Sequence, residues 1–164
     1  MGQGANPNER KSCHKLQAEY ADLIKYQMNR QGISLRRLVD EGIIKSSHRS
    51  GLFERIADGS VSTAEFNRIN ERLGIDPVRA AIAVHCFVSP ESYEDPCCET
   101  SAHLAIALAL QLSEEMAACD GTFEPIREAL CHGIAQRTSS AIARHHTALE
   151  ARRHDPALFD RPFG

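Results

Sequence analysis

Apolar residues recur every three or four positions along almost the whole chain, and no alternating run of β-branched residues exceeds a few positions. That spacing belongs to helices burying one face, so the chain is expected to be all-α. A first helix is expected over about 14–30, with Leu16, Tyr20, Leu23, Ile24 and Met28 on one face and Gly32 closing it. Ser34 caps a short second helix that carries Leu35, Leu38 and Val39 and ends near Gly42. The polar turn Lys45-Ser46-Ser47-His48 precedes a third, around 49–57, with Leu52, Phe53 and Ile56. Ser62 and Glu65 form a capping box, the glutamate reaching back to the cap amide, ahead of Phe66, Ile69 and Leu73. Asp76-Pro77 opens a fifth helix to about residue 88, apolar on most sides and so expected to be buried. After a loop over 89–98, a helix over about 101–118 is apolar nearly all round, which implies burial on several sides. A last helix, about 123–152, places Phe123, Ile126, Leu130, Ile134, Ala141, Ile142, His145 and Leu149 near one face, His145 on its core-facing stripe.

At 164 residues, 42% apolar and 25% charged, the chain can build a packed core. Aromatics are only 5% and Trp is absent, so that core must come from Leu, Ile, Val and Ala. The net charge of -3 argues against a uniformly basic nucleic-acid coat, but it is unevenly spread. Residues 1–76 hold 12 Lys+Arg against 10 Asp+Glu, while 77–164 hold 7 against 12. The longest apolar run, 102–112, is interrupted by His103 and Gln111 and falls short of the roughly 18–20 residues of a membrane span. The N-terminus lacks the apolar region of a secretory signal, so a cytoplasmic protein without membrane contact is expected. Its six cysteines then read as reduced thiols in apolar positions. The expected organisation is a flexible tail over 1–13, a first helical domain over 14–76, a second helical region over 77–154 that dimerises or receives a signal, and a C-terminal tail over 155–164.

The second and third helices carry the most specific chemistry. A short helix, a turn and a second helix with polar residues at its entrance is the arrangement by which a helix-turn-helix reads DNA, the second helix entering the major groove. Lys45, Ser46, Ser47, His48, Arg49 and Ser50 crowd that entrance, Arg36 and Arg37 lie on the polar face of the second helix, and Arg55 lies further along the third. Hydroxyls and guanidiniums suit both phosphates and base edges. Ser47, His48, Arg49 and Ser50 would lie nearest the bases, with Arg36, Arg37, Lys45 and Arg55 on phosphates.

These residues sit in a segment, about 23–76, that resembles the lambda-repressor-like (Cro/repressor-type) helix-turn-helix family. The resemblance rests on LIKYQMNRQGISLRRLV, LFERIADG and TAEFNRINERLGID, with the family's pattern at Ser34-Leu35, at Ile56-Ala57-Asp58-Gly59 and at Leu73-Gly74-Ile75. The intervening DEGIIKSSHRSG is about four residues longer than the family's usual turn. The resemblance implies a sequence-specific, double-stranded-DNA-binding transcriptional regulator, with 14–76 as its helix-turn-helix DNA-binding domain. The alternative is a helical protein-interaction module of the same fold that does not bind DNA.

The C-terminal half offers Cys and His, but no C-x-x-C, and Cys97, Cys98 and His103 would be the ligands if a metal were held; none is expected, nor any other cofactor. No G-x-S-x-G, H-E-x-x-H or phosphate-binding loop is present, so no catalytic residues are assigned and an enzyme is not expected. The apolar helices after residue 77 form more surface than one thin layer hides, which points to a homodimer built through them.

Overall fold

The computed structural model describes residues 7–87 and 89–153, with side chains over 15–87 and 89–153; among the described residues it contains helices and no strand. The chain divides into two compact units, Met1–Ala117 and Ala118–Gly164. The first holds α1 (Pro7–Arg30), α2 (Leu35–Asp40), α3 (Leu52–Ala57), α4 (Thr63–Leu73), α5 (Pro77–Ile82) and α6 (Pro96–Ala117), and the second holds α7 (Glu128–Arg153). A 3-10 turn, Ser46–His48, lies between α2 and α3; a π-helical turn, Ala83–Phe87, continues α5; and a second 3-10 turn, Pro90–Glu94, precedes α6.

α1 is the central element and packs on α3, on α4 and on the turns at 83–87 and 90–94. Its Leu23, Ile24 and Met28 meet Leu38 of α2, Leu52 and Ile56 of α3, and Ile69 and Leu73 of α4 in one core. Five of these, Leu23, Ile24, Leu38, Leu52 and Ile69, are fully buried, each contributing about 1.5–3 kcal/mol from the water it loses. Gln27 interrupts the apolar face of α1 and is itself buried. It is satisfied by Glu94, whose Oε1 accepts from Gln27 Nε2 at 2.7 Å and from Arg30 Nη1 at 2.9 Å, which fastens the 90–94 turn to α1. Tyr93 fastens the start of α5: its hydroxyl accepts from the Asp76 amide at 2.8 Å, and the Arg79 guanidinium lies 4.5 Å over its ring. Gly59 ends α3 at φ +74°, in the left-handed region that favours glycine, with the amide end of the Gln17 side chain of α1 beside it.

Several elements differ from their sequence expectation. α1 starts at Pro7, so residues 7–13 of the expected tail are helical; residues 1–6 and the tail over 155–164 lie outside the described residues. The fifth helix is α-helical only to Ile82 and then widens into the π-turn, leaving Phe87 exposed. The expected loop over 89–98 is mostly helical, because Pro90 and Pro96 each open a turn. The largest departure concerns burial. Within α6 only Cys98 and Ala102 are buried, and α7 buries nothing, His145 included. Among the described side chains, the free cysteines Cys86, Cys97, Cys119 and Cys131 are likewise exposed and Cys98 is buried, its thiol pushed up by desolvation; the Cys13 side chain lies outside them. Helical periodicity identifies the apolar face but not what covers it. No described helix is long and apolar enough to cross a membrane.

Candidate nucleic-acid interface

The chain from α2 to α4 builds a surface around one short polar turn. Ser34 caps α2 by accepting from the Arg37 amide at 3.2 Å, and Leu38 anchors the helix in the core. Past α2 the backbone folds over its end, the Ile43 amide donating to Leu38 O at 2.9 Å and Ile44 burying its side chain. The next residues, Lys45, Ser46, Ser47, Arg49 and Ser50, are all exposed. Lys45 and Arg49 form no ion pair among the described residues, so their charges face solvent.

The third helix starts later than its sequence suggests. It was expected around 49–57 but begins at Leu52, because Gly51 adopts φ +75° and breaks the chain between the 3-10 turn and α3. Residues 47–50 therefore lie on the turn before α3 rather than on its first turn. The long DEGIIKSSHRSG segment makes this geometry available, since it leaves room for a separate 3-10 turn.

His48 and Arg55 point inward, to the same acceptor. His48 Nδ1 lies 3.0 Å from Glu65 Oε1 and 3.2 Å from Oε2, and Arg55 Nη2 donates to Oε2 at 3.4 Å. Glu65 is only 4% exposed. Burial alone would raise its carboxyl, but the hydrogen bond and charge of His48, together with Arg55, outweigh that and leave it below its ordinary value. The capping box is thus half formed. Ser62 accepts from the Glu65 amide at 3.2 Å, whereas the Glu65 carboxylate, expected to return to the cap amide, reaches instead to the 46–48 turn and α3. The cause is competition: the Arg55 guanidinium and the His48 ring together take the carboxylate from one neutral amide, and a bond to a cation is the stronger. Glu65 so ties three elements together and fixes the turn.

Arg36 and Arg37 lie exposed on α2, each beside a carboxylate one helical turn on. Arg36 Nε is 3.8 Å from Asp40 Oδ2, and Arg37 Nε donates to Glu41 Oε1 at 2.8 Å. Arg72 of α4 also grips Glu41, with Nη2 3.0 Å from Oε1 and Nε bonded to Oε2. The Arg72 and then the Arg37 hydrogen bond hold the Glu41 carboxyl down to about 2. Arg68 Nε donates to Ile43 O at 3.2 Å, joining α4 to the start of the turn.

Of the nine residues singled out from sequence, five thus share an open turn, two are paired on α2 and two are turned into the Glu65 contact. Glu41, Glu65, Arg68 and Arg72 were missed as members of the site. Glu65 carried a signal, the cap spacing, but pointed to a local partner; Glu41 and Arg72 are 31 residues apart and leave no mark in local spacing. Cys97, Cys98 and His103 do not gather: among the described residues no set of three or more His, Cys, Asp or Glu could hold a metal. No family model, curated protein or solved structure matches the chain.

Proposed function

We propose that the chain is a sequence-specific, duplex-DNA-binding transcriptional regulator acting as a dimer, its 14–76 segment a lambda-repressor-like helix-turn-helix unit. The observation that carries this reading is the exposed, unpaired Lys45, Ser46, Ser47, Arg49 and Ser50 on one turn anchored by Glu65. Arg49 is the residue suited to a base edge, since a guanidinium can donate twice to one guanine. Lys45 and the serines suit phosphates. Arg36, Arg37 and Arg55 reach DNA only by exchanging a carboxylate for a phosphate, and His48 acts by holding the turn. The two unpaired cations of the turn, Lys45 and Arg49, are few for affinity that rises with the number of phosphates neutralised, so a second copy, doubling the contacts, is part of the proposal.

Fluorescence anisotropy tests it, with the duplex upstream of the protein's own coding sequence and a scrambled duplex at two salt concentrations. The expected result is salt-weakened binding that prefers the upstream duplex. Arg49→Ala should cost about 1–3 kcal/mol on that duplex and less on the scrambled one. Absence of binding to either duplex at micromolar protein and low salt would overturn the proposal. The second reading, a helical interaction module that does not bind DNA, is favoured by one observation: both α2 arginines already face carboxylates.

A further inference from the structure

Beyond Ala102, α6 buries no residue. Leu104, Ile106, Leu108, Leu110 and Leu112 are between 38% and 63% exposed. At 3.6 residues per turn, Leu104, Leu108 and Leu112 form one row and Ile106 and Leu110 another, on nearly the opposite side. A single neighbouring helix cannot cover both rows. On α7, Leu130, Ile134, Ile142 and Leu149 are exposed as well, and they fall with Ala141 and Ala148 on one stripe. The two helices also differ in charge. From residue 102 onward α6 carries only Glu114 and Glu115, whereas α7 carries Arg137, Arg144, Arg152 and Arg153 against Glu128 and Glu150. Arg137 and Arg144, seven residues apart, run along one edge of the α7 stripe.

We infer that α6 of one chain packs against α7 of a second copy, with the reciprocal contact generated by two-fold symmetry. Three observations choose a second copy as the occupant. Each chain carries both halves of an apolar, oppositely charged pair, so an isologous dimer covers α6 and α7 at once. A second chain brings two further helices, which the two rows of α6 need. The area also suffices. With ~100 Å² for a fully buried Leu or Ile side chain, nine half-exposed ones amount to on the order of 400 Å² per chain, near the apolar share of a standard interface of ~800 Å² per partner. The inference rests on the dimer part of the proposed function and not on DNA binding.

Sedimentation velocity of the full chain without DNA, over a micromolar concentration series, tests it. The wild type should sediment as a dimer. Leu108→Glu, which places a charge in the apolar contact, should weaken association by roughly 100-fold or more, while amide-exchange protection of α1 and α4 stays unchanged. Glu114→Lys with Glu115→Lys, and separately Arg137→Glu with Arg144→Glu, should each weaken self-association by roughly 3–10-fold, because like charges then face each other. Mixing the two reversed chains should restore the dimer, since the reversed α6 of one meets the reversed α7 of the other. A wild type that is monomeric throughout overturns both the inference and the dimer. A dimer indifferent to both reversals overturns the exchanged pairing alone.

Discussion

The α1–α4 bundle and the α6–α7 segments use the same side chains to opposite effect. In the bundle, Leu23, Ile24, Leu38, Leu52 and Ile69 vanish from the surface, and the polar residues beside them have named partners. In α6 past Ala102 and in α7, leucines and isoleucines of equal size remain half exposed, and side-chain hydrogen bonds such as those of Thr138 and Thr147 run one turn back along the same helix. The difference lies in what surrounds each helix. α1 has a single apolar face and several short elements to fill it, whereas α6 has two apolar rows and no buried residue past Ala102. A helix of the second kind is complete only with another surface.

The comparison breaks most directly with matched truncations. Ile69→Ala removes a fully buried side chain and should cost about 2–5 kcal/mol, lowering amide-exchange protection throughout α1 and α4. Leu108→Ala, on a side chain 60% exposed, should leave that protection unchanged. Equal loss from both would show that the distal half of α6 belongs to the same cooperative core, and the contrast between the regions would fall.

A smaller effect tests how the bundle holds the 45–50 turn. Glu65→Gln keeps the size of the side chain but removes the charge that His48 and Arg55 share. With both partners a quarter to a third exposed, the cost should be about 1–2 kcal/mol. The sign with pH follows from the lowered Glu65 carboxyl. Its contribution is full above the ordinary carboxylate range and is lost as pH falls through the folded value, so the stability gap between wild type and variant should narrow on acidification. Denaturant unfolding at several pH values measures it. A gap that stays constant down to low pH would mean the carboxylate charge is not what fixes the turn.

What could be read from the sequence divides along the same line. Local chemistry was legible: Ser34 and Ser62 cap α2 and α4 as their spacing indicates, Asp76-Pro77 opens α5, and the all-α class follows from periodicity. What escaped was long-range or competitive. Gly51 was unremarkable in sequence, yet its positive φ separates the turn from α3 and shortens the expected third helix. Glu65 met its spacing rule, but the Arg55 guanidinium and the His48 ring displaced the amide. Glu41 and Arg72 meet only because α2 and α4 fold together. The apolar periodicity of α6 and α7 was equally plain, and exposure shows why it misled: burial belongs to a pair of surfaces, and a sequence displays one of them.

The smallest effect concerns that Glu41 contact and bears on the two readings of function. Glu41 neutralises Arg37 and Arg72, and their hydrogen bonds keep it ionised until pH approaches about 2. Its contribution to folding is therefore present above the ordinary carboxylate range and lost only as pH falls toward that value. Glu41→Gln at neutral pH should leave the fold intact and release two guanidiniums near the turn. If the surface binds DNA, affinity for the scrambled duplex should rise several-fold, and the plot of log affinity against log salt should steepen by up to about 1–2, one unit per added phosphate contact. The gain should be equal on both duplexes, because a phosphate contact carries no sequence information. An unchanged slope would mean that α2 does not approach the backbone and that the carboxylates beside its arginines serve the fold alone.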